Sequence, residues 1–203
     1  MNVMVAARER DKLEGIAQET GAAWSTCDAT QPADVAALFE SSTKHFGRAP
    51  EVVVYNASQR VRGRFVDVDP VAVAQALSVT AYGAFLVAQH AARGMVDTGK
   101  GAILFTGASA GVKGYPQSAA FAMGKFALRG LAQSMARELA PQGIHVGHVV
   151  IDGGIRPPGS AQEHPKDDRL DPDAIAGTYL QLLKQPRNAW TWEIELRPWV
   201  EHF

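Results

Sequence analysis

The stretch GAILFTGASAGVKGYPQSAAFAMGKFALRGLAQSMARELAPQGIHVGHVVI, residues 101–151, decides the fold. It reads strand, loop, long helix, strand. Gly101 to Thr106 is a short apolar run bounded by turn residues, the pattern of a buried strand. Gly107 to Gly114 (GASAGVKG) is a loop of small residues. Residues 116–139 carry a helical pattern that Pro141 and Gly143 stop. His145 to Ile151 (HVGHVVI) is a second strand. Parallel strands cannot be joined by a tight turn, so a long helix between two strands is the crossover of a parallel sheet.

The rest of the chain repeats this unit. Residues 2–7 (NVMVAA) read as a strand. Residues 9–20 form a polar-rich helix with Leu13, Ile16 and Ala17 on one face, ended by Gly21. Residues 22–27 are the next strand. Asp28-Ala29-Thr30 turns into a helix with Pro32 near its start, which runs to Phe46 before Gly47. Residues 51–55 (EVVVY) are almost continuously apolar, as strands buried on both faces are. A loop covers 56–68. Asp69-Pro70 is an N-cap followed by proline at the first helical position, and that helix reaches Met95. Beyond Ile151 a Gly/Pro/charged loop covers 152–170, and Asp171-Pro172 opens a short helix to Lys184. Residues 191–196 (TWEIEL) are a last strand before an aromatic tail. Six strands alternating with helices predict an α/β fold, a doubly wound parallel sheet in a single domain over residues 1–203. Ligands in such sheets sit beyond the carboxyl ends of the strands.

At 203 residues the chain can bury a sizeable core. A net charge of −1 implies no nucleic-acid partner. The single Cys27 leaves no internal disulfide, fits a reducing cytoplasm, and reads as a small buried residue at a strand end. No apolar run reaches the length of a membrane span, so no membrane partner is expected. The start, MNVMVAARERDK, becomes charged too soon for a secretory leader. His145 and His148 are three apart in a strand and point to opposite faces, so they make no metal pair, and no metal site is expected.

On the helix over 116–139, Phe121 and Lys125 are four apart and share a face. Here the chain resembles the short-chain dehydrogenase/reductases, whose signature is YxxxK on this helix with a serine in the preceding loop. The resemblance implies that the tyrosine moves a proton at the substrate carbonyl, while the lysine tunes the tyrosine and holds the nicotinamide ribose. This chain keeps Lys125. It has Phe121 in the tyrosine's place, Ala108 in the serine's place with Ser109 beside it, and Thr80 where the family's tetrad has an asparagine. Phe for tyrosine is similar to an atypical subgroup of the family. Cys27-Asp28-Ala29 resembles the turn whose aspartate contacts the adenine. Tyr55-Asn56-Ala57-Ser58 resembles the segment whose asparagine braces the central strand beside the cofactor, and Asp152-Gly153-Gly154 stands at the step near the nicotinamide amide. Together these run in family order from Asn2 to the C-terminus.

The family opens with a strand and a TGxxxGxG turn that approaches the pyrophosphate. No such pattern stands here, and residues 2–7 match the family's second strand. The resemblance therefore implies the fold without its first βα unit. Either residues 2–7 pair directly with 51–55, or a gap remains for a neighbouring chain to fill. GASAGVKG matches the substrate-side loop rather than a phosphate cradle. Arg8 falls where an arginine would hold a 2′-phosphate, which implies NADP in preference to NAD, or no dinucleotide bound by this chain alone.

Plainer readings stand beside these. The default for an isolated lysine at Lys125 is a surface residue lying along its stem, against which the flanking pattern favours the cofactor-side position. Arg8 reads equally as one solvated charge among Glu9, Arg10, Asp11 and Lys12. Phe121 reads as a core-edge aromatic, Ser109 as a turn residue, and Trp190, Trp192 and Trp199 as packing of the last strand. The expected function is an NADP-dependent oxidoreductase acting on an unidentified carbonyl or alcohol through a degenerate site. The alternative is a catalytically inactive relative serving as a binding or assembly subunit. Small residues along helix 116–140 (Ala119, Ala120, Ala122, Gly124, Ala127, Gly130), with helix 70–95 as partner, imply a homodimer or tetramer.

Overall fold

The computed structural model describes residues 1–157, 160 and 167–201. The first half runs β1 (Met4–Ala7), α1 (Arg10–Thr20), β2 (Ala23–Thr26), α2 (Pro32–Phe46), β3 (Val52–Tyr55), α3 (Pro70–Leu77) and α4 (Gly83–Thr98). The second half runs β4 (Gly101–Thr106), α5 (Ala119–Leu139), β5 (Ile144–Ile151), α6 (Pro172–Leu183) and β6 (Glu193–Leu196). Every strand pair is parallel. The expected caps form: Asp69 accepts from the amides of Val71 and Ala72, and Asp171 accepts from that of Asp173. Gly21 and Gly47 end α1 and α2 in the left-handed region that glycine adopts without strain.

Strands β3-β4-β5-β6 make one sheet in sequence order, and β1-β2 make a second, separate pair. The direct pairing of residues 2–7 with 51–55 is not formed. α2 packs against α4, and the β1-β2 pair stays outside the larger sheet. Val54 on β3 is 48% exposed, so that strand is covered on one face only. The larger sheet carries helices on both faces. Ile103 and Phe105 of β4 point into a core with Val35, Ala84, Leu128 and Val146. Leu104, between them, points the other way, to Val149 and Leu182. This is the period of two that a strand buried on both sides requires. β5 is buried along its whole length.

Three sequence expectations are corrected. α5 starts at Ala119, not at 116, because Gln117 has φ 60, outside the helical region, and the Tyr115 carbonyl instead takes the amide of Ser118 in a turn. The helix expected over 70–95 continues to Thr98, where Gly99 (φ 64) ends it, and a π-helical segment, Ser78–Tyr82, interrupts it. That helix, Pro70–Thr98, also meets the length and apolarity of a membrane span. Here the same residues are core: Ala84, Leu86, Val87, Ala88, Ala91 and Met95 are all buried in the protein. Positions 158–159 and 161–166 of the expected 152–170 loop lie outside the described residues, as do 202–203 of the aromatic tail.

Candidate active site

The sequence-singled residues gather where the strands end. Asn56 follows β3, Gly107 follows β4 and Asp152 follows β5, all on one rim because the strands are parallel. The end of β2 meets this rim through Gly83. A β-carbon there would lie 2.6 Å from the Tyr55 hydroxyl and 3.0 Å from the Ala29 carbonyl, so only glycine lets the two approach.

Lys125 is 3% exposed, and its Nζ donates to the Thr106 carbonyl at 2.7 Å. Burial pushes its pKa down to about 8. It is not a surface lysine. Phe121, one turn before it, is also buried, and its ring centre is 5.7 Å from the ammonium. The guanidinium of Arg60 also lies over this ring, 4.5 Å from its centre. Ala108 is extended and opens a short 3-10 turn, Ser109–Gly111. The Ser109 carbonyl accepts from the amides of Val112 and Lys113, so Ser109 serves the turn. A side chain at Gly111 would press on the Lys125 carbonyl at 3.0 Å, which shows how closely this turn sits on α5. Thr80 is 1% exposed, lies in the π-helical segment, and accepts from the Gln59 amide at 3.2 Å. Gly124 packs on it, since a β-carbon there would be 3.0 Å from that of Thr80. π-segments of this kind are concentrated at functional sites.

The second group lies further along the rim. Arg8, Thr26, Cys27, Asp28 and Asp34 line a shallow cleft of about 280 Å³. The Asp28 carboxylate accepts from the Thr30 amide and hydroxyl, which hold its pKa below the usual carboxylate range. Asp34 accepts from the Asp28 amide. With both acids engaged by local donors, Arg8 has no carboxylate at ion-pair distance among the described residues. Cys27 is buried, and burial pushes its thiol up to about 11, as a structural cysteine requires. Asn56, Ala57 and Ser58 are exposed beyond β3. Gly153 has φ 146, and a β-carbon would meet Pro198 at 2.6 Å. Asp152 beside it is 3% exposed and pairs with Lys113 and Arg197 at 3.6 and 3.5 Å.

Sequence reading missed a partly buried polar row under this rim. His148 is fully buried, and its Nδ1 lies 3.0 Å from Glu193 Oε2. Arg129 clamps the same carboxylate with two 2.7 Å hydrogen bonds. The other imidazole nitrogen, Nε2, has no hydrogen-bond partner among the described residues. It faces Gly107, where an added β-carbon would stand 2.4 Å away. Burial lowers the His148 pKa, outweighing the Glu193 bond that raises it, and Arg129 and Lys125 push it further down. Among the described residues no group of three or more His, Cys, Asp or Glu side chains is placed to hold a metal ion. His145 instead bonds the Thr191 carbonyl and stacks on Trp190. Trp192 lies under Arg129, whereas Trp199 is 80% exposed.

Comparison with known proteins places this rim in context. The family model described as enoyl-(acyl carrier protein) reductase matches residues 1–189. The chain is 29% identical over 164 residues to short chain aldehyde dehydrogenase 1 of Euphorbia lathyris, covering 80% of this chain but 56% of that protein. It thus spans little more than half the length of that relative. A solved short-chain dehydrogenase from Rhodopseudomonas palustris is similar at 34% identity with a TM-score of 0.82, over 98% of this chain and 87% of that one. A metagenomic short-chain oxidoreductase solved with NADP shares the fold at 24% identity and a TM-score of 0.81, over 98% and 86% of the two chains.

The buried histidine makes a pH-dependent contribution. Its folded-state pKa lies below the ordinary 6.5, so the unfolded chain binds the proton first as pH falls. The stability it confers is complete above that value and is lost as pH drops below it. Denaturant midpoints should therefore fall between about pH 7.5 and 5.5. His148→Asn, which keeps a donor for Glu193 but cannot titrate, should flatten that slope. An unchanged slope in the variant would remove His148 as its source.

Proposed function

The chain belongs to the short-chain dehydrogenase/reductase family, and we propose that it is an NADP-linked oxidoreductase of that family with a disarmed proton-donor position. The observation that carries this is Lys125, a buried ammonium at the carboxyl end of β4, four residues after an aromatic ring. Burying a lone lysine costs heavily, and a helix surface offers cheaper places for one.

The residues present fit the dinucleotide at two points. Arg8 lines a cleft and has no carboxylate at ion-pair distance among the described residues, which leaves its donors for a 2′-phosphate. Lys125 and the backbone around Gly153 and Gly154 would hold the nicotinamide end. The bound cofactor supplies or accepts the hydride. What remains to this chain is orientation and the proton. Phe121 has no proton to donate, and Ala108 has no hydroxyl for the carbonyl oxygen that takes up charge. Thr80 braces the loop after β3 instead of completing a relay.

This reading has a direct test. A positioned general acid contributes about 10²–10⁴-fold. NADPH consumption with a panel of aldehydes and ketones should be slow in the natural chain. Phe121→Tyr with Ala108→Ser should raise it by about that factor, and adding Lys125→Ala should abolish the gain. If the natural chain already turns over at ordinary enzyme rates and Phe121→Tyr adds nothing, the proton comes from elsewhere. No gain in the double variant would favour a binding subunit.

Cofactor preference follows from Arg8. One charge-assisted contact is worth about 1.5–3 kcal/mol, or roughly ten- to hundredfold in affinity. NADPH should bind that much more tightly than NADH by fluorescence titration. Equal affinities, unchanged in Arg8→Glu, would end the assignment.

Self-association is the third part of the reading. Tyr82 and Phe85 stack on each other on the exposed side of the 70–98 helix, and Met123 and Phe126 are exposed on α5. Apolar faces on these two helices support pairing with a second copy about a two-fold axis. Light scattering at micromolar protein should give a dimer or larger, and a monomer there rules it out.

A further inference from the structure

We infer that Arg60 is a substrate anchor, and that the compound reduced or oxidised at this site carries a carboxylate beside its carbonyl or alcohol. The inference rests on the oxidoreductase reading and names its substrate class.

Arg60 lies in the loop after β3, which is pinned on both sides of it. The Gln59 amide donates to Thr80 Oγ1 at 3.2 Å, and the Gly63 amide donates to the Gln117 carbonyl at 3.2 Å. Both acceptors belong to the site's own framework. Thr80 is buried in the π-helical segment, and Gln117 stands in the turn that opens α5. Gln117 holds φ 60, a strained conformation for a residue with a side chain. The chain thus spends backbone strain on a turn that fixes this loop.

So held, Arg60 places its guanidinium 4.5 Å from the centre of the Phe121 ring. Phe121 is the residue that stands where the family's proton donor would. In the same loop Arg64 pairs with Asp67, and Lys113 nearby pairs with Asp152. Arg62, like Arg60, has no ion pair among the described residues, but of the two it is Arg60 that lies over the Phe121 ring. Arg60 has no carboxylate at ion-pair distance among the described residues. The ring accepts none of the guanidinium's five N–H groups in a directed bond. A planar fork of donors with no acceptor, held over the reaction position, matches a carboxylate bidentately.

The test measures binding first and turnover second. Benzoylformate and its methyl ester share a ketone and a ring and differ in the charge. Both are titrated into the full chain with NADPH present, by ligand-observed NMR. The acid should bind about ten- to hundredfold more tightly than the ester, the worth of one charge-assisted pair. Arg60→Gln should erase that preference while leaving ester binding and the circular dichroism spectrum unchanged. Phe121→Leu, which removes the ring under the guanidinium, should reduce it. Equal binding of acid and ester by the natural chain, acid binding that survives Arg60→Gln, or no acid binding at millimolar probe would each overturn the anchor. NADPH consumption is read separately. Acid-selective binding without turnover, in the natural chain and in Phe121→Tyr with Ala108→Ser alike, keeps the anchor and removes the oxidoreductase reading. Turnover of the ester as fast as the acid keeps the oxidoreductase and removes the anchor.

Discussion

Parallel pairing is the constraint on which the rest of this structure depends. Each parallel step needs a crossover, and each crossover returns the chain to the same end of the sheet. β3, β4 and β5 therefore finish side by side, and the residues after them are brought together without being near in sequence. The helices that do the crossing cover both faces of β4 and β5, so those strands are apolar almost throughout. Polar groups have one place left to cluster, the rim where the strands stop.

The rim shows how the chain tolerates polar burial. Lys125 is stripped of water but bonds a backbone carbonyl. Asp152 is buried between two cations. His148 stays neutral, sharing a carboxylate that Arg129 holds from the more exposed side. Each arrangement follows the rule that a buried charge survives only when paired or hydrogen-bonded. The row below Gly107 also limits that turn. With the imidazole directly beneath, only a residue without a side chain fits there, and Ala108 and Ser109 follow from that fixed point.

Glycines and the π-helical segment do the remaining positioning. Gly83 lets Tyr55 and the Asp28–Thr30 turn close on the 70–98 helix, and the Tyr55 hydroxyl bonds the Val79 carbonyl inside the π segment. Gly124 lets α5 settle on Thr80. The result joins three elements at Thr80: the long helix, α5, and the loop that carries Arg60.

Element types, their order and the parallel class were legible in the sequence alone, because hydrophobic period, proline and glycine are local signals. Asp69-Pro70, Asp171-Pro172, Gly21 and Gly47 marked helix ends that the structure keeps. Lys125 and Phe121 stood out because one helix turn ties them. Tertiary structure alone decided the rest. The separation of β1-β2 from the larger sheet and the packing of α2 against α4 are long-range arrangements, which no local pattern encodes. The start of α5 depends on one backbone torsion at Gln117. His148, Glu193 and Arg129 lie on three different elements, and Arg60 is far from Phe121 in sequence. Such pairings arise only when crossovers bring distant segments to one rim, where electrostatics and packing choose the neighbours.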